Sequence, residues 1–186
     1  MKKSILVLLV CVLFVSGCAF GTRRPTLNYT VALPSEPQNN IAIKVNEFTD
    51  ERTWNKEKIG DVKNAYGMRC AEIIPQNSVV AWVTDALKKE LVNAGYNISD
   101  NQAVSSVAQG AVLEAYVDAY WNYGGRVRLK VALKKDGKDV LNKEYSVQKN
   151  CGINMAARAA SYAKTLEMTL QEVMKQVIPD INTALK

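Results

Sequence analysis

Two long runs of alternating side chains leave this chain little freedom of architecture. Leu113, Ala115, Val117, Ala119 and Trp121 alternate with Glu114, Tyr116, Asp118 and Tyr120. Beyond Gly124-Gly125, the residues Val127, Leu129, Val131 and Leu133 alternate with Arg126, Arg128, Lys130 and Ala132. A period of two marks strands with one dry and one wet face. Opposed residues of an antiparallel pair must share a face, and that parity decides the turn. A two-residue Gly-Gly loop would set Trp121 against Arg128, whereas a three-residue loop sets Trp121 against Val127 and Val117 against Val131. The odd-length turn is therefore expected, with Asp118 opposite Lys130 and Glu114 opposite Lys134. A further turn at Asp136-Gly137 leads to a third strand carrying Leu141, Tyr145 and Val147.

The other elements follow from the same kind of reading. Ile41, Ile43 and Val45 alternate with Ala42, Lys44 and Asn46, a half-buried strand. Residues 26–33 read as a strand or an extended lead-in. Residues 49–77 form a long loop, and a connection of that length in a compact domain hides structure of its own. A hairpin over 59–62 and 68–74 is expected within it. Val80, Val83, Leu87, Leu91 and Ala94 line one face of a helix that Asn77 or Ser78 can cap and Gly95 can end. A second helix runs from about Met155 to the C-terminus, and Pro179 should kink or interrupt it. These elements predict a single α+β domain over 35–186, a two-layer sandwich of a largely antiparallel sheet with two main helices on one face.

Ahead of this domain stand Met1-Lys2-Lys3, an apolar run over 5–14, and Val15-Ser16-Gly17-Cys18. The run is too short to span a bilayer, which takes about 20 residues. A charged start, a short apolar core and small residues before a cysteine read instead as a lipoprotein signal. Residues 1–17 are then removed, Cys18 is lipidated, and 18–34 serve as tether and lead-in. The mature chain has 169 residues with 22 basic and 18 acidic side chains, a formal charge of about +4. That balance, without basic runs interleaved with aromatics, does not describe a nucleic-acid binder. Cys11 is lost with the signal, which leaves Cys70 and Cys151 in an oxidising compartment. A disulfide between them is expected, closing a loop worth roughly 4 to 5 kcal/mol on the chain-entropy model. The alternative is two unpaired thiols.

The chain contains no histidine, which removes Ser-His-Asp and Cys-His catalysis and histidine-bearing zinc sites. No cofactor or metal site is expected. Ser161-Tyr162-Ala163-Lys164 matches a Ser-x-x-Lys pattern, and Ser99-Asp100-Asn101 matches its usual companion. Their order is reversed, however, and the third element, Lys-Thr-Gly, is missing. Candidate contact residues are Asp50, Arg52, Trp54 and Tyr66 in the long loop, since loops carry binding groups; the plainer reading of Trp54 is that it packs the loop onto the domain. A second candidate surface is the basic stripe Arg126, Arg128, Lys130 and Lys134. Its plainer reading is a solvated strand face neutralised by Glu114 and Asp118.

The lipid signal, the lead-in ending Val31-Ala32-Leu33-Pro34, the segment Val45-Asn46-Glu47-Phe48-Thr49-Asp50-Glu51-Arg52, and Ala86-Leu87 through Ala94-Gly95-Tyr96 together resemble the YajG-type outer-membrane lipoproteins. The resemblance implies an α+β domain, and Ala19 after the lipidated cysteine implies an outer-membrane address; the domain is expected to face the periplasm. A more distant likeness to the TolB amino-terminal domain implies an accessory role in envelope assemblies. The function expected is that of a non-enzymatic module held to the membrane by its lipid and binding an envelope protein. The alternative is direct binding of an anionic glycolipid or cell-wall polymer through the basic strand face.

Overall fold

A computed structural model describes residues 21–186 except 37, 38, 40, 102 and 154–157. Cys18 and the signal lie outside the described residues. In chain order the elements are β1 (Ala42–Val45), β2 (Thr49–Asp50), β3 (Gly60–Lys63), β4 (Arg69–Ile73), α1 (Val79–Asn93), β5 (Asn97–Ile98), β6 (Ser106–Ala119), β7 (Asn122–Lys135), β8 (Lys138–Ile153) and α2 (Ala159–Leu185).

β6 organises the sheet. β7 runs antiparallel along one of its edges and carries β8 beyond. Along the other edge β1, β2 and β3 succeed one another, all parallel to β6, beside Ser106–Ala108, Ala111–Val112 and Val117–Ala119. β5 extends β1 in parallel, and β4 extends β3 as the antiparallel hairpin expected within the long loop. The result is a mixed sheet curled into half a barrel, which corrects the expected plain two-layer sandwich with a largely antiparallel sheet. Three successive segments of the chain thus line one edge of β6, and each makes a parallel pair with it. No helix among the described residues is long and apolar enough to cross a membrane.

The turn between β6 and β7 also departs from expectation. Ala119 pairs with Tyr123 and Val117 with Gly125, so the strands reverse around Trp121, three residues before the predicted centre. The loop is odd-length as parity requires, but Trp121 sits at its tip, 63% exposed, and not in the core. Gly124 and Gly125 lie inside β7. A Cβ on Gly125 would stand 2.3 Å from Thr169 Oγ1 and 3.0 Å from Thr165 Cγ2, so α2 crosses the sheet where only glycine leaves room. The turn centred on Trp121 sets Glu114 opposite Arg128 and Asp118 opposite Gly124, not opposite the expected lysines, and a bulge between Val112 and Glu114 shifts the register by one residue beyond them.

Both helices bury their apolar stripes in one core. Trp82, Val83, Leu87 and Leu91 of α1 meet Leu166, Leu170, Val173 and Val177 of α2 over the inward residues of β6 and β7. Ser78 caps α1 by accepting from Ala81 N, and α2 continues through Pro179 without interruption. Buried Val177, Ile178 and Ile181 on either side of Pro179 keep that turn seated despite the missing backbone donor.

The lead-in is extended, as one of its two sequence readings had it, and side chains of both helices satisfy its backbone. Trp82 Nε1 donates to Asn28 O at 2.9 Å, Thr30 N donates to Glu167 Oε1 at 2.9 Å, and Asn93 Nδ2 donates to Leu33 O at 2.8 Å. Other carboxylates fasten α2 to β8, with Lys149 donating to Glu172 and both Lys143 and Tyr145 donating to Asp180, all at 2.7 Å. The bonds from Lys149 and Lys143 hold the Glu172 and Asp180 carboxyls below the usual range. At Glu167 burial works the other way, but bonds from Lys164 and Thr30 outweigh it.

Each of these folded-state pKa values lies below its unfolded counterpart. Their stabilisation is therefore present above the ordinary carboxylate pKa of about 4 and is lost as pH falls through the depressed value. With no histidine in the chain, the thermal midpoint should stay level between about pH 5 and 8 and fall steadily below about pH 4. A midpoint that declines from pH 5 to pH 8 would contradict this.

Candidate functional site

Arg52 is buried, 3% exposed, and is a clamp rather than a contact residue. Its Nε and one terminal nitrogen grip Asp50 at 2.9 and 2.8 Å, and its fork also donates to Lys58 O at 3.1 Å and Lys56 O at 2.5 Å. The bond from Arg52 is the main cause of the lowered Asp50 pKa. Above the guanidinium lies the half-buried Trp54 ring, 5.4 Å away. Trp54 in turn packs edge-on against Tyr116 at 5.0 Å, and Arg126 covers the other ring at 4.9 Å. Four side chains from three segments, the loop after β2, β6 and β7, thus meet in an Arg-Trp-Tyr-Arg stack on the sheet face away from the helices. Tyr116, which sequence reasoning passed over, is its centre, and the clue was an aromatic in the polar phase of a strand. Tyr116 OH donates to Asp61 at 2.8 Å, and burial followed by that bond raises its pKa well above the usual range.

In this geometry Asp50 and Arg52 bind each other, Arg52 also binds the loop carbonyls, and Trp54 packs the loop onto Tyr116. Arg52→Lys keeps the charge but loses the planar fork, so it should cost about 2 kcal/mol in urea unfolding. Equal stability of the lysine variant would mean that the fork holds nothing.

The basic stripe is also matched. Arg126 Nε lies 3.1 Å from Glu114, Arg128 Nε lies 3.5 Å from Glu144, and Lys130 stands opposite Glu144 in register. Tyr66 is brought to none of these residues; it stands at the β3–β4 tip, 86% exposed. Lys164 donates to Glu167 at 2.8 Å, and the Ser-x-x-Lys pattern is one turn of α2 with Tyr162 buried in the core and Lys164 exposed.

The expected disulfide is not formed, and Cys70 and Cys151 are free thiols. The sheet gives the reason. Cys70 lies on β4 and Cys151 on β8, with β3, β6 and β7 between them. Four strand spacings of about 4.8 Å far exceed the ~7 Å that a bridged Cα pair allows. Burial raises the Cys151 pKa, partly offset by Lys149.

What the outer face does offer is an open groove near the β7–β8 turn, about 560 Å³ in volume. Glu47, Thr49 and Glu51 form one wall, Lys130 and Lys134 the floor, and Asp139 and Asn142 the other wall. Phe48 lies across Gly110 beside it, where a Cβ would stand 2.4 Å from the ring. The groove holds both signs of charge, and Thr49 Oγ1 in its wall donates to Glu51 Oε1 at 3.1 Å; no group of three metal-ligating side chains forms among the described residues.

Residues 30–186 match a family model described as "uncharacterized lipoprotein". No curated protein matches the chain. Among solved structures, protein XCC0632 from Xanthomonas campestris is similar with a TM-score of 0.60 at 15% identity, over 83% of this chain and 91% of that one. An uncharacterized protein reaches 0.55 at 8% identity, over 84% and 99%. The hypothetical protein CT253 from Chlamydia trachomatis reaches 0.48 at 8% identity, over 74% and 95%. The first two likenesses establish the fold.

Proposed function

The chain belongs to this uncharacterized lipoprotein family, and from that premise we propose that it is a non-enzymatic envelope module that binds a protein partner through the groove. Within the family the segments 45–52 and 86–96 favour a YajG-type member. Residues 1–17 direct export, Cys18 carries the lipid, and the domain faces the periplasm from the outer membrane.

The groove carries the reading. It is open, no helix covers it, and its carboxylates and ammonium groups are interspersed. Interspersed charge suits a protein surface, where opposite charges are matched one by one and wrong partners are rejected. A polyanion would need an uncompensated positive field. Arg126 and Arg128 each have a carboxylate partner, which ranks an anionic glycolipid or cell-wall polymer second.

The test places a photo-crosslinking residue at Asn142 in the groove and, as a control, at exposed Val92 on α1. In intact envelopes the expected result is one stoichiometric protein adduct from Asn142 alone, lost when Lys130 and Lys134 are both changed to glutamate. Adducts from both positions, or binding of an isolated anionic polymer that the same reversal abolishes, would overturn the reading.

A further inference from the structure

The sheet end opposite the groove is built differently. Three segments meet there: the β3–β4 tip over 64–68, the β6–β7 turn over 120–123, and the end of β8 over 150–153. The pairs Val62 with Ala119, Ala119 with Tyr123, and Asn122 with Ile153 bring them side by side. Tyr120 OH donates to Ala65 O at 2.8 Å and ties two of them together. None of the three segments contains a charged residue. Instead they present Tyr66 at 86%, Met68 at 60%, Trp121 at 63% and Ile153 at 74% exposure. Four large apolar side chains at one end of a sheet, set among asparagines and glycines, form a patch that needs an occupant.

The path of the chain says what that occupant is. Arg23 bridges Ile73 in parallel, with Arg23 N donating to Glu72 O at 2.9 Å and Ile74 N donating to Arg23 O at 2.8 Å. A segment parallel to β4 advances, on the N-terminal side, toward Arg69 and the Met68 tip. From Gly21 to Cys18 are three residues, a reach of at most about 10 Å. A lipid carried by Cys18 would then be attached within that reach of Gly21, on the side of the apolar end.

We propose that this end is a second membrane contact, with Tyr66, Met68, Trp121 and Ile153 entering the lipid–water interface beside the anchor. Aromatic and aliphatic side chains without charges, carried on tight turns, suit that interface. The domain is then held at two points, its orientation is fixed, and the polar groove points away from the bilayer. The placement rests on lipidation of Cys18, whereas the affinity of the tip for lipid does not.

The experiment uses vesicles of phosphatidylethanolamine and phosphatidylglycerol with brominated acyl chains, which quench tryptophan only at contact. Flotation of the lipidated chain tests the anchor by itself. Quenching is measured on that chain and on the unlipidated Cys18→Ser chain at high lipid concentration. The expected result is quenching in both, removed by Trp121→Phe, and an unlipidated partition coefficient about tenfold lower in Trp121→Asp. Quenching that Trp121→Phe leaves intact, or none in either chain, would overturn the proposal even if the lipidated chain floats. A dimer that Trp121→Asp dissolves, with no quenching, would assign the tip to a second copy and overturn it equally. Tyr66→Asp, on an exposed turn, repeats the test at a position whose change leaves the core untouched.

Discussion

Gly60→Ala should destabilise the fold by about 3 kcal/mol, lowering the thermal midpoint by roughly 6 to 12 °C. A Cβ at this position would lie 2.1 Å from Val117 O, 3.0 Å from Val117 C and 3.1 Å from Val117 N, all backbone atoms of the central strand. No rotamer change relieves such a contact. The methyl group can enter only if β3 moves off β6, and Val117 N then loses Ile59 O, now 2.7 Å away. Ile59 and Val117, both fully buried, would separate with it. The fitting control is Gly67→Ala, where φ is +78° and nothing lies within 4 Å of the added atom. There only backbone strain is introduced, a cost of about 1 kcal/mol. Urea unfolding of the two variants decides the matter: equal losses would show that β3 does not press on β6.

The sequence made the hairpin over 59–74, helix α1 and the three long strands legible because each pattern is local. Alternation fixed which residues of β7 point inward, and the structure keeps every one of them. What it could not show was position along the neighbour. Parity is preserved when a turn moves by three residues, so Trp121 opposite Val127 and Trp121 at an exposed tip obey the same rule. Gly124-Gly125 resembled a turn because glycine serves turns and close crossings alike, and only the placement of Thr169 distinguishes the two. Leu113 was assigned inward by phase, yet a bulge at that point leaves it half-buried. The sequence marks Arg52 as a candidate contact residue, whereas its hydrogen bonds in the fold go to the carbonyls of Lys56 and Lys58, which no side-chain pattern records. The groove and the apolar tip were invisible for a similar reason, since each collects residues from strands far apart in the chain.

Glu90→Ala is the second large effect, at about 3 kcal/mol, and it acts on the join between tether and domain. Glu90 is fully buried, and its Oε1 accepts from Tyr29 OH at 2.6 Å and from Ala32 N at 2.7 Å. Removing it leaves a hydroxyl and a backbone N–H without a partner beneath the lead-in. Tyr29→Phe removes only one donor and should cost about 1 kcal/mol, with the double variant little worse than Glu90→Ala alone. Additive losses would show that the two groups do not share a bond. The loss stays with the core, because Arg23 and Pro25 hold the chain to the β4 edge ahead of the lead-in: Arg23 N donates to Glu72 O, Ile74 N to Arg23 O and Gln76 N to Pro25 O. Releasing residues 26–36 from Glu90 therefore does not lengthen the tether. Glu90→Ala should accordingly lower the urea midpoint while leaving both Trp121 quenching and flotation of the lipidated chain unchanged, at temperatures where the core remains folded. If quenching falls while the core stays folded, the pairing of Arg23 with β4 does not by itself hold the chain in place.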